Sequence, residues 1–94
     1  MREAAAVVTW DIVYIKQAQK DATNISAAGL RPNVEHLLAI LKKDPFQSPP
    51  RFETLVGDLS GAYSRRITIQ HRLVYQVLKA PRTVKVLRMW THYE

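Results

Sequence analysis

The 94-residue chain has no cysteine and only three glycines. Without cysteine there is no disulfide, no thiol nucleophile, no iron–sulfur cluster and no Cys-type zinc site, a usage that suits a reducing cytosol. Three glycines leave no Gly-rich phosphate loop. Ser60 lies in LSGAYS, which is not a nucleophile elbow. No apolar run approaches the roughly 18–20 residues that span a bilayer. Ala4–Val8 is the longest run near the start, and Asp11 interrupts the next apolar stretch. With Glu3 in what would be the basic region, no secretory signal is expected. The expectation is a cytoplasmic protein with no membrane partner. Carboxylates are also scarce: residues 51–94 hold Glu53, Asp58 and Glu94 against eight Lys/Arg. A two-metal nuclease needs several converging carboxylates. His36, His71 and His92 show no ligand spacing. If the chain cleaves nucleic acid, metal-free chemistry is therefore favoured.

What is present is an ordinary globular composition, 47% apolar and 23% charged. The length allows one domain, 1–94, with residues 1–6 as a loose N-terminal extension. The net charge of +6 is uneven: about +1 in residues 1–50 and +5 in residues 51–94. A basic half points to a polyanionic partner, of which nucleic acid is the commonest. A solvated basic surface that keeps the protein soluble is the plainer explanation.

Val7–Tyr14 is rich in β-branched and aromatic residues and predicts a strand. Lys16–Ala28 carries Ala18, Ala22 and Ile25 at helical spacing, and Gly29 is placed to close that helix. Pro32 suits the first turn of a second helix, with Val34, Leu37, Leu38 and Leu41 on one face. Glu35 near its start and Lys42 and Lys43 in its last turn favour the helix dipole, and Pro45 stops it. Residues 45–52 hold three of the five prolines and read as a connector. Strands come next at Glu53–Leu59, Ala62–Thr68, Arg72–Lys79 and Thr83–Tyr93, with a turn at 80–82. The order predicts an α/β (α+β) domain. A two-helix hairpin lies on a mostly antiparallel four- to five-stranded sheet whose last three strands form a meander.

In the strand Ala62–Thr68, Ser64, Arg66 and Thr68 share one side; Tyr63, Arg65 and Ile67 share the other. Arg72 opens the next strand, so Arg65, Arg66 and Arg72 gather at one turn. Three arginines repel one another unless an anion sits among them, and the guanidinium fork matches phosphate. A solvated sheet rim is the competing account. In the last strand Val84, Val86, Arg88, Trp90 and His92 alternate with Lys85, Leu87, Met89, Thr91 and Tyr93. His92 is either a surface residue or a general acid. Trp90 and Tyr93 could stack on bases or simply pack. Metal-free cleavage of nucleic acid is simplest on RNA, whose 2′-hydroxyl supplies the nucleophile. A base, an acid and a cation at the phosphorane are then needed, and Glu53, His92 and Arg72 are the available candidates. Composition alone does not bring them together in space.

The run LSGAYSRRITIQHRLVYQV, from Leu59 onward, and the ending HY at His92–Tyr93 closely resemble the YoeB/Txe toxins of type II toxin–antitoxin systems, within the RelE-like superfamily. The resemblance covers Trp10–Tyr93. It implies a ribosome-dependent mRNA endoribonuclease (an mRNA interferase) that cuts by 2′-OH attack without metal or cofactor. It implies Glu53 as general base, Arg72 as the phosphate-stabilising arginine and His92 as general acid, with Arg65, Arg66 and Tyr93 at RNA-contacting positions. It implies as partners mRNA in the ribosomal A site, ribosomal RNA and an acidic YefM/Axe-like antitoxin. Operator DNA would be met only as the toxin–antitoxin complex. The chain departs from the pattern in extending to Glu94 and in placing Val56 where some relatives carry lysine. Two other functions share the fold: a module that poisons a partner such as DNA gyrase, and a degenerate toxin kept for antitoxin binding. A gyrase poison would not need the set Glu53, Arg72 and His92.

Overall fold

The computed structural model describes residues 9–56 and 61–89. Seven elements succeed one another: β1 (Asp11–Tyr14), α1 (Lys16–Ala27), α2 (Arg31–Lys43), β2 (Phe52–Thr54), β3 (Ala62–Arg66), β4 (Arg72–Lys79) and β5 (Arg82–Arg88). They form one five-stranded sheet in the order β1-β5-β4-β3-β2. β2 to β5 pair antiparallel, and β3, β4 and β5 make the expected meander. β1 alone runs parallel, beside β5, and the long connection that such a pair needs is made by the helical hairpin together with β2, β3 and β4.

The local chemistry accounts for the helical hairpin. Gly29, with φ +76°, ends α1: its amide donates to the Ser26 carbonyl at 3.1 Å, and the Leu30 amide donates to Ile25 at 3.0 Å. This pair of bonds is a Schellman closure, and the left-handed residue it needs is the glycine. Pro32 sits in the first turn of α2, where no intrahelical N–H is lost. At the other end the Asp44 carboxylate accepts the Phe46 amide at 3.0 Å, which turns the chain into the connector. Ala18 and Ile25 from α1 and Val34, Leu37 and Leu41 from α2 bury against Leu73, Tyr75, Val84 and Val86 of the sheet. The helices cover one face, and cross-strand pairing assigns the other face its members.

Several boundaries differ from the sequence-based expectation: β1 begins at Asp11, α1 ends at Ala27 and β5 begins at Arg82. β2 begins at Phe52, inside the expected connector, and is three residues long. β3 ends at Arg66 rather than Thr68. There the Thr68 hydroxyl accepts the amides of Gln70 and His71 at 3.1 and 3.2 Å, so the side chain substitutes for the ladder and makes the turn. β5 ends at Arg88, and Met89 turns into the core at 2% exposure. The remainder of the expected last strand, 90–93, lies outside the described residues, as do Val7 and Val8 and residues 57–59.

Candidate active site

Phe52 pairs with Arg65 and Glu53 with Ser64 across β2 and β3; Arg66 pairs with Arg72 across β3 and β4. Directly paired residues share a sheet face. Glu53, Ser64, Arg66 and Arg72 therefore stand together on the face away from the helices. There they line an open cleft of about 270 Å³ with Pro50 and Arg51. Arg72 donates from Nη1 to Glu53 Oε1 at 3.2 Å and to Ser64 Oγ at 3.4 Å. Its side chain is 22% exposed and that of Glu53 is 47% exposed. Among the described residues the cleft lining holds three arginines and one carboxylate. Arg66 and Arg72 stand directly opposite each other, an arrangement that costs energy unless an anion is shared. A planar guanidinium fork and a nearby carboxylate are two of the groups that metal-free phosphodiester cleavage can use.

A larger hollow of about 370 Å³ lies elsewhere, against α1, α2 and Met89. It is lined chiefly by Tyr14, Ala22, Ile25, Val34 and Leu38, and its charged pair, Arg31 and Glu35, is joined at 2.7 Å. It lacks the convergent basic groups of the smaller cleft.

Two of the expected catalytic residues, Glu53 and Arg72, are thus brought together, with Arg66 beside them. His92 and Tyr93 lie outside the described residues. Arg65 is a correction. The alternation placed it on the opposite side from Arg66, and the structure shows what that side is. Arg65 is 0% exposed, so it is not available for contact with RNA. The expected cluster of three arginines at one turn therefore divides between the two faces.

The Arg65 guanidinium is spent inside the protein. Nε donates to the Tyr75 hydroxyl at 3.0 Å, Nη1 to the Pro50 carbonyl, and Nη2 to the carbonyls of Pro45 at 3.0 Å and Gln47 at 2.8 Å. The guanidinium carbon lies 4.8 Å from the centroid of Phe52. Phe46, Phe52, Tyr63 and Tyr75 form a chain of ring contacts around it, the closest between Phe46 and Tyr63 at 5.3 Å. A buried cation is tolerated only when its donors are satisfied, and here carbonyl oxygens and a ring face take that role. Burial pushes the Tyr75 hydroxyl up from its ordinary value, against the opposing pull of Arg65. It therefore stays protonated and also donates to Pro45 O at 3.2 Å.

Asp21 is a residue that sequence reasoning passed over. It is 1% exposed, and its carboxylate accepts Arg88 Nε at 2.8 Å, the Met89 amide at 3.0 Å and Gln17 Nε2 at 3.1 Å. Burial pushes this carboxyl up. The three hydrogen bonds and the charge of Arg88 outweigh that and hold it below the usual carboxylate range. The available signal was an acid on the apolar stripe of α1, between Ala18 and Ile25.

Comparison with known proteins places the chain in a family. Residues 10–93 match the family model described as the YoeB-like toxin of bacterial type II toxin–antitoxin systems. Toxin YoeB of Synechocystis is 30% identical over all of this chain and 99% of its own length. Toxin YoeB of Streptomyces coelicolor is 49% identical over 46% of this chain, a match that spans 51% of that relative. Among solved structures, the YoeB/ParE toxin from Agrobacterium tumefaciens superposes with a TM-score of 0.80 at 29% identity, covering 88% of this chain and 99% of that one. The YoeB–YefM complex from Staphylococcus aureus gives 0.76 at 28% identity, covering 89% and 98%. The fold, the cleft on the open sheet face and the match across residues 10–93 lead to one assignment: the chain belongs to the YoeB-like toxins of bacterial type II toxin–antitoxin systems.

Proposed function

We propose that this toxin is a ribosome-dependent mRNA endoribonuclease of the cytoplasm, acting on message in the ribosomal A site without metal or cofactor. The observation that carries the reading is the Glu53–Arg72 pair, held at 3.2 Å in an open cleft with Arg66 opposite Arg72. The scissile phosphate takes the guanidinium of Arg72, helped by Arg66, and so relieves the repulsion between the two arginines. As the phosphate engages Arg72, Glu53 is released to act as base. Glu53 removes the 2′-OH proton, the 2′-oxygen forms its bond to phosphorus, and the P–O5′ bond breaks. Arg72 offsets charge on the phosphorane. His92 gives its proton to the departing 5′-oxygen. The products are a 2′,3′-cyclic phosphate and a 5′-hydroxyl. Tyr93 contacts the RNA in this scheme.

The regulator is an acidic YefM-like antitoxin, in keeping with the YefM complex of the Staphylococcus aureus relative and with the +5 charge of residues 51–94. It silences the toxin by covering Arg66 and Arg72 or displacing His92, and operator DNA is bound only by the toxin–antitoxin complex. The test is single-turnover cleavage on programmed ribosomes by folded Glu53→Gln and His92→Ala, each expected to fall by about 10²–10⁴-fold. Free RNA with EDTA serves as the metal control. Full activity in both variants would overturn the assignment.

A further inference from the structure

Arg65 has no place in that chemistry, yet it is among the most completely buried side chains of the domain. Its partners are not scattered. Pro45, Gln47 and Pro50 all belong to the segment that leads from α2 into β2, and Phe52 opens β2. That same segment supplies Pro50 and Arg51 to the cleft wall, and Glu53 comes directly after Phe52. The β2 strand is three residues long and lies at the sheet edge, with only β3 beside it. So short an edge strand has little ladder to fix it. The guanidinium adds the missing constraint by tying three carbonyls of the incoming chain to Tyr75, in the centre of the sheet.

We infer that Arg65 is a positioning residue for Glu53: through the carbonyls of Pro45, Gln47 and Pro50 it fixes the segment that carries the carboxylate to Arg72. The inference rests on the reading of Glu53 as base. The fork matters as well as the charge, because one planar group must reach Pro50, Pro45, Gln47 and Tyr75 in different directions at once. A lysine keeps the charge and loses that geometry. The role is distinct from general packing, because its effect passes through one side chain.

A double-mutant cycle on programmed ribosomes tests this. In folded Arg65→Lys, kcat is expected to fall by about 10–100-fold with KM within about twofold, the size of effect that a misplacement near 1 Å produces. In the Glu53→Gln background the same substitution is expected to cost less than about threefold, because the residue it positions is already gone. Tyr75→Phe removes one of the four oxygens and keeps the ring; it is expected to give the same non-additivity at about three- to tenfold. It carries the test if Arg65→Lys does not fold. Hydrogen exchange of residues 46–54 reads the anchoring without activity, and exchange is expected to be at least about tenfold faster in either variant. Multiplicative losses in the cycle, wild-type kcat in the folded variants, or unchanged exchange would each overturn the inference. Wild-type activity in Glu53→Gln alone would instead overturn the base assignment, and the exchange result would still judge the anchor.

Discussion

Asp21 meets Arg88 at 2.8 Å with its side chain 2% exposed; Glu53 meets Arg72 at 3.2 Å with side chains 47% and 22% exposed. In the first pair the carboxylate is full. It accepts a guanidinium, a backbone amide and a side-chain amide, and it ties α1 to the end of β5. In the second the carboxylate has one partner among the described residues, and Arg72 contacts it through a single nitrogen. A buried carboxylate held by three donors offers little to a further partner. An open pair can exchange partners at little cost. The first therefore holds structure, and the second is available to a ligand whose charge replaces the carboxylate on the arginine.

The largest break in this comparison comes from Arg72→Ala. On the proposed mechanism this removes the cation at the phosphorane and is expected to lower cleavage by about 10²–10³-fold, roughly 3–4 kcal/mol of transition-state energy. Thermal stability should move by less than about 1 kcal/mol, because a half-exposed pair contributes little. Asp21→Ala reverses the pattern. It orphans the Arg88 guanidinium and the Met89 amide, so urea denaturation should show a loss of about 2–3 kcal/mol. The cleft, on the opposite sheet face, keeps the Glu53–Arg72 contact.

Acid sharpens the same contrast. The folded Asp21 carboxyl titrates below its unfolded value, so it contributes stability that is present above about pH 3.9 and lost as pH falls through the folded value. Acid unfolding of Asp21→Asn should accordingly show a shallower slope below pH 4 than the wild type. The smallest expected effect is that of Arg66→Ala, about three- to tenfold weaker RNA binding. The slope of log K against log salt should fall by about one, as for loss of a single phosphate contact.

Much of the fold could be read from local chemistry. Gly29, Pro32 and Pro45 mark helix ends because each acts on the backbone within a residue or two. The apolar stripes of both helices and the β4 strand were legible for the same reason. The faces of β3 were also legible, since Ser64 and Arg66 do stand opposite Arg65. What periodicity could not supply was the identity of each face. Arg65 and Arg66 are neighbours of one type, and only the covering of one face by the 45–51 segment makes the first structural and the second accessible. Asp21 was missed because Arg88 and the Met89 amide, which hold it to the sheet, lie 67 and 68 residues away. The resemblance carried the assignment of Glu53 and Arg72; their contact across β3 depends on the register of three strands.

The central claim is that the Glu53–Arg72 cleft turns the RNA 2′-oxygen against its own phosphodiester. The most direct measurement is end analysis of a defined message cut on programmed ribosomes by the folded wild-type toxin. The account predicts one discrete cut at the A-site codon, with a 2′,3′-cyclic phosphate on the upstream fragment and a 5′-hydroxyl on the downstream one. An uncut message, or fragments ending in a 3′-hydroxyl and a 5′-phosphate, would contradict it.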